Sequence, residues 1–443
     1  MGKPATEKIG ASGFDHIDPP DTEIYLDCVH CGFCLPTCPT YLVLGNEMDN
    51  PRGRIYLMRA VGEGKGKITD TFVEHMHLCL LCRACETACP SGVKFGFLME
   101  AARGQIERNY QYPPSVRRFR ERVLHTFTDL GRLRTITGLL RFYQRSGLQK
   151  LARASGLLAC FGHLGKMEAF LPPIPDQRLR KELSEVMPAK GEKRGRVGLL
   201  TGCVQRFFLP QVNAATARVL AENGFEVVIP RDQGCCGSLL VHEGDREQGK
   251  GFARKTIDAF ERASVDFIVV SAAGCGSVMK EYWELLHNDP VYAQRAEAFS
   301  KKVRDASELL GEAELNGRLC ELKLKATYHD ACHLAHGQKV RQQPRKILKA
   351  IPGIQLVELA ESDFCCGSAG LYNVLHPDVA QKFLDRKIDR IKETGAELVV
   401  SANPGCTLQI EKGLKARGLD IRVLHPMELL DWSYRGKILP RSS

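Results

Sequence analysis

An α+β multidomain chain is predicted by three features of the sequence. Two dense cysteine runs lie near its start, an arginine-rich stretch with helical apolar spacing follows, and a long unit then occurs twice. The expected architecture is a small helical domain over 21–110 holding the two runs, a basic helical linker over 111–195, and duplicated α/β domains over 196–312 and 325–432. A length of 443 residues suits about three domains. Hydrophobic and charged fractions of 44% and 26% are ordinary for a globular protein. Residues 1–20 have no apolar core and no cleavage site, so they read as a disordered tail and not as a signal peptide. No apolar run approaches the ~20 residues that span a bilayer. Eighteen cysteines without a secretory pattern imply a reducing compartment, so a cytoplasmic location is expected.

The cysteine runs carry the chemistry. Cys28, Cys31, Cys34 and Cys38, followed by Pro39, form one C-x2-C-x2-C-x3-C-P pattern, and Cys79, Cys82, Cys85 and Cys89, followed by Pro90, form the other. Three thiolates at this spacing wrap one face of a [4Fe-4S] cubane, and the proline turns the chain away after the fourth. Zinc sites use paired C-x2-C halves set further apart, and disulfide frameworks belong to small secreted domains. Two [4Fe-4S] clusters are therefore expected. In two-cluster ferredoxins the fourth cysteine of each run serves the opposite cluster. The expected ligand sets are thus Cys28, Cys31, Cys34 and Cys89, and Cys79, Cys82, Cys85 and Cys38.

The net charge of +10 is concentrated between Arg103 and Arg153. Apolar residues interleave with the arginines at helical spacing, as in Val123, Phe127, Leu130, Leu133, Ile136 and Leu140. One reading is a solvated helix face; the other is a docking surface for an acidic partner or anionic lipid headgroups. Nucleic acid is not expected, because no binding motif accompanies the charge.

The repeated unit has an offset of about 130 residues, long enough for a domain duplication. VGLLTGC ends at Cys203, GCCGS holds Cys235 and Cys236, and FIVVSAAGC ends at Cys275. The second copy has ATYHDAC ending at Cys332, FCCGSAG with Cys365 and Cys366, and LVVSANPGC ending at Cys406. Short β-branched runs alternate with helical patterns such as 213–224 and 377–394, which implies a parallel α/β sheet. Such sheets bind ligands beyond the carboxyl ends of their strands, where these cysteines fall. Gly237 and Gly367 follow the paired cysteines, and a left-handed glycine would turn both sulfurs toward one site. Each copy is therefore expected to hold a redox or cluster site.

These motifs also carry a resemblance. The duplicated half resembles the cysteine-rich CCG domains of heterodisulfide reductase subunits. The stretches CVHCGFCLPTCPTYLVLGNEMDNPRGRIYLM, CLLCRACETACPSGV, AGCGSVMKEYWELLHNDPVYA, FCCGSAGLYNVLHPDVA and SANPGC resemble the iron–sulfur subunits of glycolate oxidase (glycolate dehydrogenase). The resemblance implies a ferredoxin-type domain with two [4Fe-4S] clusters, joined by a helical linker to two CCG domains with further iron–sulfur sites. It implies an electron-transfer role beside FAD-carrying, flavin-binding dehydrogenase subunits in a hetero-oligomeric complex. Glycolate would become glyoxylate on the flavin, and electrons would pass to quinone, with peripheral contact at the inner face of the membrane. The alternatives are a related lactate or glycerol-3-phosphate dehydrogenase subunit, and a heterodisulfide-reductase-like thiol/disulfide enzyme. The fullest CCG pattern ends in C-x-x-C, whereas Val278 and Gln409 stand where its fifth cysteine would be. A noncubane cluster pair is therefore not expected.

Cys160 and Cys320 fit no pattern and read as buried apolar residues. His333 and His425 are candidates to approach the second CCG site, and Arg52 and Arg54 are candidates to offset cluster charge. There is no GxGxxG after a strand, no P-loop and no nucleophile elbow. No catalytic residue is expected on this chain, and the substrate chemistry falls to a cofactor on a partner.

Overall fold

Strand pairing explains the repeat. The computed structural model describes residues 12–156, 158, 168, 171–175 and 183–437. The first α/β module contains β1 (Val186–Met187), β2 (Gly195–Leu200), β3 (Phe225–Val228), β4 (Phe267–Val270) and β5 (Val303–Asp305), in the order β1-β3-β2-β4-β5. The second contains β6 (Leu324–His329), β7 (Ile354–Val357), β8 (Leu398–Ser401) and β9 (Arg422–Leu424), in the order β7-β6-β8-β9. The four parallel strands of the first sheet thus have one-to-one counterparts in the second. Val197–Leu200, Ala326–His329 and the whole of β8 are buried. Helices cover both faces of such strands, which is why their sequences lack a polar alternation.

The two modules exchange their flanking helices. Helix Pro210–Glu222 of the first packs against Pro426–Tyr434, the last helix of the second, and Ala306–Gly311 packs reciprocally against Gln342–Lys349. One buried core therefore runs through both, from Val197, Leu199 and Leu220 to Tyr328, Leu348, Val400 and Leu430. Arg218 seals the junction by a two-pronged ion pair to Asp431, at 2.7 and 2.8 Å.

The cysteine runs lie in a helical unit built on Pro51–Gly62, Asp70–His77 and Phe95–Asn109, with Met58, Met76, Leu98, Met99 and Ile106 at its centre. Buried and half-buried polar links bind this unit to both modules. Arg103 donates to the carbonyls of Cys79 and His242, both at 2.6 Å. Arg83 pairs with Glu281 at 2.7 Å, and Thr87 Oγ1 lies 2.8 Å from His336 Nδ1. Helices Pro114–Thr128 and Leu130–Arg145 then cross over the modules. Leu133 packs on Cys203 and Cys235, and Leu124 packs on Leu240 and Leu371.

Three expectations change. The stretch assigned to a tail is anchored before residue 20: Phe14 is buried, and Asp15 accepts from Arg108 Nε at 2.9 Å. The region assigned to a helical linker ends in β1, which pairs antiparallel with β3. Two arginines counted with the basic face are internal, since Arg103 holds carbonyls and Arg120 pairs with Glu107 and Glu243.

Replacing Arg218 with alanine leaves the Asp431 carboxylate, whose side chain is 4% exposed, without its main partner. We expect a loss of about 2 kcal/mol, read as a lower thermal unfolding midpoint of the iron-loaded chain with iron content unchanged. An unchanged midpoint would remove this ion pair from the forces joining the modules.

Candidate functional site

Both cysteine runs are shaped by the same backbone irregularity. His30 and Gly32 in the first run, and Leu81 and Arg83 at the matching places in the second, have φ of 55°, 84°, 51° and 63°. Three of these four are not glycine, and a left-handed conformation at such residues costs of order 1 kcal/mol each. The resulting coil turns successive sulfurs inward. Cys38, Cys79, Cys82 and Cys85 line one small cavity. Cys28 has Cys89 and Cys31 as charge neighbours, and Cys34 has Cys28. Cys38 thus lies with the second run, and Cys89 lies beside the first.

The donor set fits an iron–sulfur group. Burial pushes the Cys34 thiol up to about 11 and holds Cys82 and Cys85 well above the ordinary range. Grouped buried thiols resist ionising together unless a cationic centre compensates them, and iron does this. Two arginines assist. Arg54 is buried against the cavity of the second run, donating to the carbonyls of His75 and Asp49 at 2.7 and 2.8 Å. Arg52 reaches the carbonyl of His30 in the first run at 3.4 Å while paired with Glu47.

Each CCG module brings its four cysteines together beyond the carboxyl ends of its strands. In the first, the Cys235 thiol donates to the Cys203 sulfur 3.6 Å away, and Cys236 accepts from Cys275. In the second, Cys365 meets Cys332, and Cys366 accepts from Cys365 and Cys406. These accepted hydrogen bonds hold Cys236 and Cys366 well below the ordinary thiol range. Cys275 and Cys406 each sit in the first turn of a helix, Ala273–Lys280 and Pro404–Ala416, where the hydrogen bonds to Cys236 and Cys366 and burial hold both thiols above their ordinary range. Gly237 and Gly367 have φ of 80° and 82°. A Cβ on Gly367 would stand 2.7 Å from the Ala380 carbonyl oxygen, so the turn presenting both sulfurs requires glycine there.

The modules differ in what surrounds the sulfurs. His329 shares the second site, its ring nitrogen within 4.8 Å of the Cys366 and Cys406 sulfurs. Its Nδ1 lies 3.1 Å from the carbonyl of Ser362, and the ring also helps hold Cys366 below the ordinary thiol range. Lys387 also donates to that carbonyl, at 3.1 Å, and burial lowers its ammonium to about 8. Leu200 and Thr256 occupy the matching places in the first module. His329 was missed in the sequence. Its signal was the contrast between TYHDAC and LLTGC at the end of matching strands.

The other expectations resolve by position. His333 donates to the carbonyl of Leu81 through Nε2, 3.0 Å away, and so spans the gap between the helical unit and the second module. His425 caps the last helix, receiving the Met427 N–H at 3.1 Å, which gives it a structural role away from the second site. Cys320 hydrogen-bonds through its backbone to Ser433 and joins neither site; Cys160 lies outside the described residues. The second ferredoxin-type site and the second CCG site adjoin: Cys82 and Cys332 are charge neighbours, and Leu80, Cys82, Phe364 and Cys365 share one buried cluster. A cavity of about 480 Å³ opens beside them, with Cys203, Cys275, Cys332 and Cys406 on its wall.

The family comparisons agree with this layout. A 4Fe-4S dicluster domain family matches residues 24–93, a family described as the glycolate oxidase iron-sulfur subunit linker region matches 115–171, and a cysteine-rich domain family matches 197–280 and 326–411. The chain is 41% identical over 415 residues to the probable glycolate oxidase iron-sulfur subunit of Bacillus subtilis, covering 91% of this chain and 93% of that protein. It is 36% identical over 386 residues to the glycolate oxidase iron-sulfur subunit of Escherichia coli, covering 86% and 88%. A fumarate reductase (CoM/CoB) subunit of Methanothermobacter marburgensis is 27% identical over 433 residues, covering 96% of this chain and 76% of that protein. With its dicluster run, its linker and its paired cysteine-rich modules all matched in order, the chain belongs to the glycolate oxidase iron-sulfur subunit family.

Proposed function

We propose that this chain relays electrons within a glycolate-oxidising dehydrogenase complex. A flavin on partner subunits converts glycolate to glyoxylate, and quinone receives the electrons. The observation that carries this reading is the closeness of successive sulfur sites, above all the shared buried cluster of Cys82 and Cys365, against which Cys332 packs. Iron–sulfur groups bound at these thiols would supply one-electron carriers. The chain's residues set the order in which those carriers stand.

Entry suits the first run. Cys31 is exposed, and Leu26, Val29, Phe33 and Tyr56 form an exposed apolar patch around it, with Val29 at 69% and Phe33 at 63%. Such a patch marks a protein interface, and a flavoprotein seated there would lie beside the Cys28 set. The path then leads inward, through the buried Cys82 set to Cys332 and its partners. His329 and Lys387 place a ring nitrogen and a cation at the second CCG site. Both features favour the reduced state, because hydrogen bonding and local charge raise a cluster's potential.

The crossing helices suit an anionic membrane surface at the inner face. Leu139, Phe142 and Leu151 are exposed, among the exposed Arg118, Arg122, Arg134 and Arg145. Apolar side chains in a field of arginines match interfacial helices. Among the described residues no helix is long and apolar enough to cross a membrane, so this contact would be peripheral.

Three experiments test the proposal. In the anaerobically loaded chain, Cys38→Ser should damage the cluster of the second run, and Cys89→Ser that of the first, each removing about four irons. Electron paramagnetic resonance distinguishes the two, and loss confined to each residue's own run would refute the crossed arrangement. A tagged chain should co-purify with a flavoprotein and stimulate glycolate-dependent dye reduction; failure of both would end the glycolate reading. Phosphatidylglycerol vesicles should carry the chain upward in flotation, with recovery falling about tenfold in the Arg118→Glu/Arg122→Glu/Arg134→Glu variant or at high salt. Equal recovery on neutral vesicles would remove the electrostatic membrane contact.

A further inference from the structure

The second CCG site differs from the first in one donor. His329 ends strand β6, is 1% exposed, and has its ring nitrogen within 4.8 Å of the Cys366 and Cys406 sulfurs. Among the described residues it is the one place where a histidine stands at metal-ligand spacing from two other donors. The grouping leaves out Cys332 and Cys365, which adjoin Cys82. The helix that bears Cys406 adds no donor of its own, because Gln409 Oε1 accepts from Asn373 Nδ2 at 3.0 Å. The nitrogen comes instead from the end of the strand.

The ring is held as a metal-binding histidine is held. Its Nδ1 lies 3.1 Å from the Ser362 carbonyl, which receives an N–H, so the ring acts on Cys366 through Nε2. A backbone carbonyl at the far nitrogen fixes the tautomer and the plane of a ligating imidazole. That carbonyl is itself fixed in place. It also accepts the Asp330 N–H and the Lys387 ammonium, each at 3.1 Å. The loop leading to it turns through Glu361, whose φ of 55° is a left-handed conformation that a residue with a Cβ resists. Arg386 holds the Glu361 carboxylate there with two hydrogen bonds of 2.7 Å. The matching region of the first module is closed differently. Gln233 takes the Thr201 N–H at 2.7 Å and donates to the Leu199 carbonyl at 3.1 Å, and Leu200 stands where the second module has His329.

We propose that His329 Nε2 is an iron ligand of the second CCG site, on the side of Cys366 and Cys406, so that this site holds its iron–sulfur group through nitrogen as well as sulfur. The bond forms from the Nε2 lone pair to iron, and a proton on that nitrogen leaves to solvent as the metal enters. No electron is transferred in this step. The consequence for the protein rests on the relay reading above. An imidazole ligand is neutral where a cysteine ligand is anionic, and histidine ligation raises an iron–sulfur group's potential, as it does in Rieske centres. The second CCG site then draws electrons from the all-cysteine set around Cys82, and the first CCG site, which has no such nitrogen, does not compete for them.

The test uses the full chain, loaded anaerobically with iron and sulfide and carrying isotope-labelled histidine, and compares wild type with His329→Gln and His329→Cys. Pulsed electron paramagnetic resonance of the wild type should show a strong hyperfine coupling to a histidine nitrogen that changes with the isotope. Both variants should lose it, and His329→Cys should keep the iron of the second site. Mössbauer spectra, which see every iron whatever its spin, should show one distinct iron doublet in wild type that is absent from His329→Cys. At a fixed ambient potential the reduced-to-oxidised ratio of this site should fall about tenfold in His329→Cys. Unchanged signals from the ferredoxin-type unit report that each variant has folded. A histidine that only donates an N–H to Cys366 gives a weak coupling and no distinct doublet, and that result would overturn the ligand. So would a strong coupling that survives in His329→Gln, or a loaded chain with about eight irons and none left for this site. Glycolate-dependent reduction of the complex tests the relay separately. A nitrogen-bound iron without that reduction would keep the ligand and discard the relay, and the reverse pattern would discard the ligand and keep the relay.

Discussion

Sixteen thiols are gathered in four sets, and most of them lie inside the protein, where a thiolate is costly without a neighbouring cation. The rest of the structure follows from this constraint. Left-handed backbone at His30, Leu81 and Arg83 is tolerated because it turns sulfurs toward a shared centre. Gly237 and Gly367 are needed for the same reason at the paired cysteines. Helix starts carry Cys275 and Cys406, and Arg54, Lys387 and His329 stand against the sets from behind. The donors are soft, anionic when ionised, and grouped in fours, which is what an iron–sulfur group requires.

Placement turns four separate sites into a sequence of sites. The helical unit is bound to both modules by buried polar links, of which Arg103 is the most consequential. A single guanidinium holds the carbonyls of Met76, Cys79 and His242, fixing the second run against the first module near the cavity. The reciprocal helix exchange locks the two modules face to face, so the cysteine-bearing ends of both sheets open toward one space. Symmetry is broken there by side chains and by the turn after the first cysteine, α-helical over Val204–Phe208 and π-helical over His333–Gly337. The second module, with His329 and Lys387, is the one whose Phe364 and Cys365 share a buried cluster with Cys82. The first, with Leu200 and Thr256, offers its sulfurs a more apolar setting.

Much of this was legible in the sequence. The cysteine spacing is local chemistry and survives any packing, and the doubled unit exposed the α/β halves because buried parallel strands such as Val197–Leu200 and Leu398–Ser401 leave continuous apolar runs. What escaped was decided by partners distant in the chain. A count of arginines cannot separate Arg103 and Arg120, which serve buried acceptors, from Arg118 and Arg134, which face solvent. Phe14 and Asp15 looked like tail because their anchors, around Arg108, lie some ninety residues on. The strand β1 is two residues long and exists only through its pairing with Val227 and Val228. His329 carried a faint signal, and His425 a misleading one, since a histidine before a proline-started helix caps it as well as any ligand would.

The relay stands or falls on whether the second CCG site is a working station between the ferredoxin-type sites and the acceptor. The most direct measurement is Mössbauer spectroscopy with electron transfer on the complex loaded with isotope-enriched iron, comparing wild type with Cys366→Ser. If electrons pass through this site, the substitution removes one class of iron, leaves about eight irons in the ferredoxin-type unit, and lets glycolate reduce that unit while quinone reduction stops. Identical spectra together with undiminished quinone reduction would contradict it.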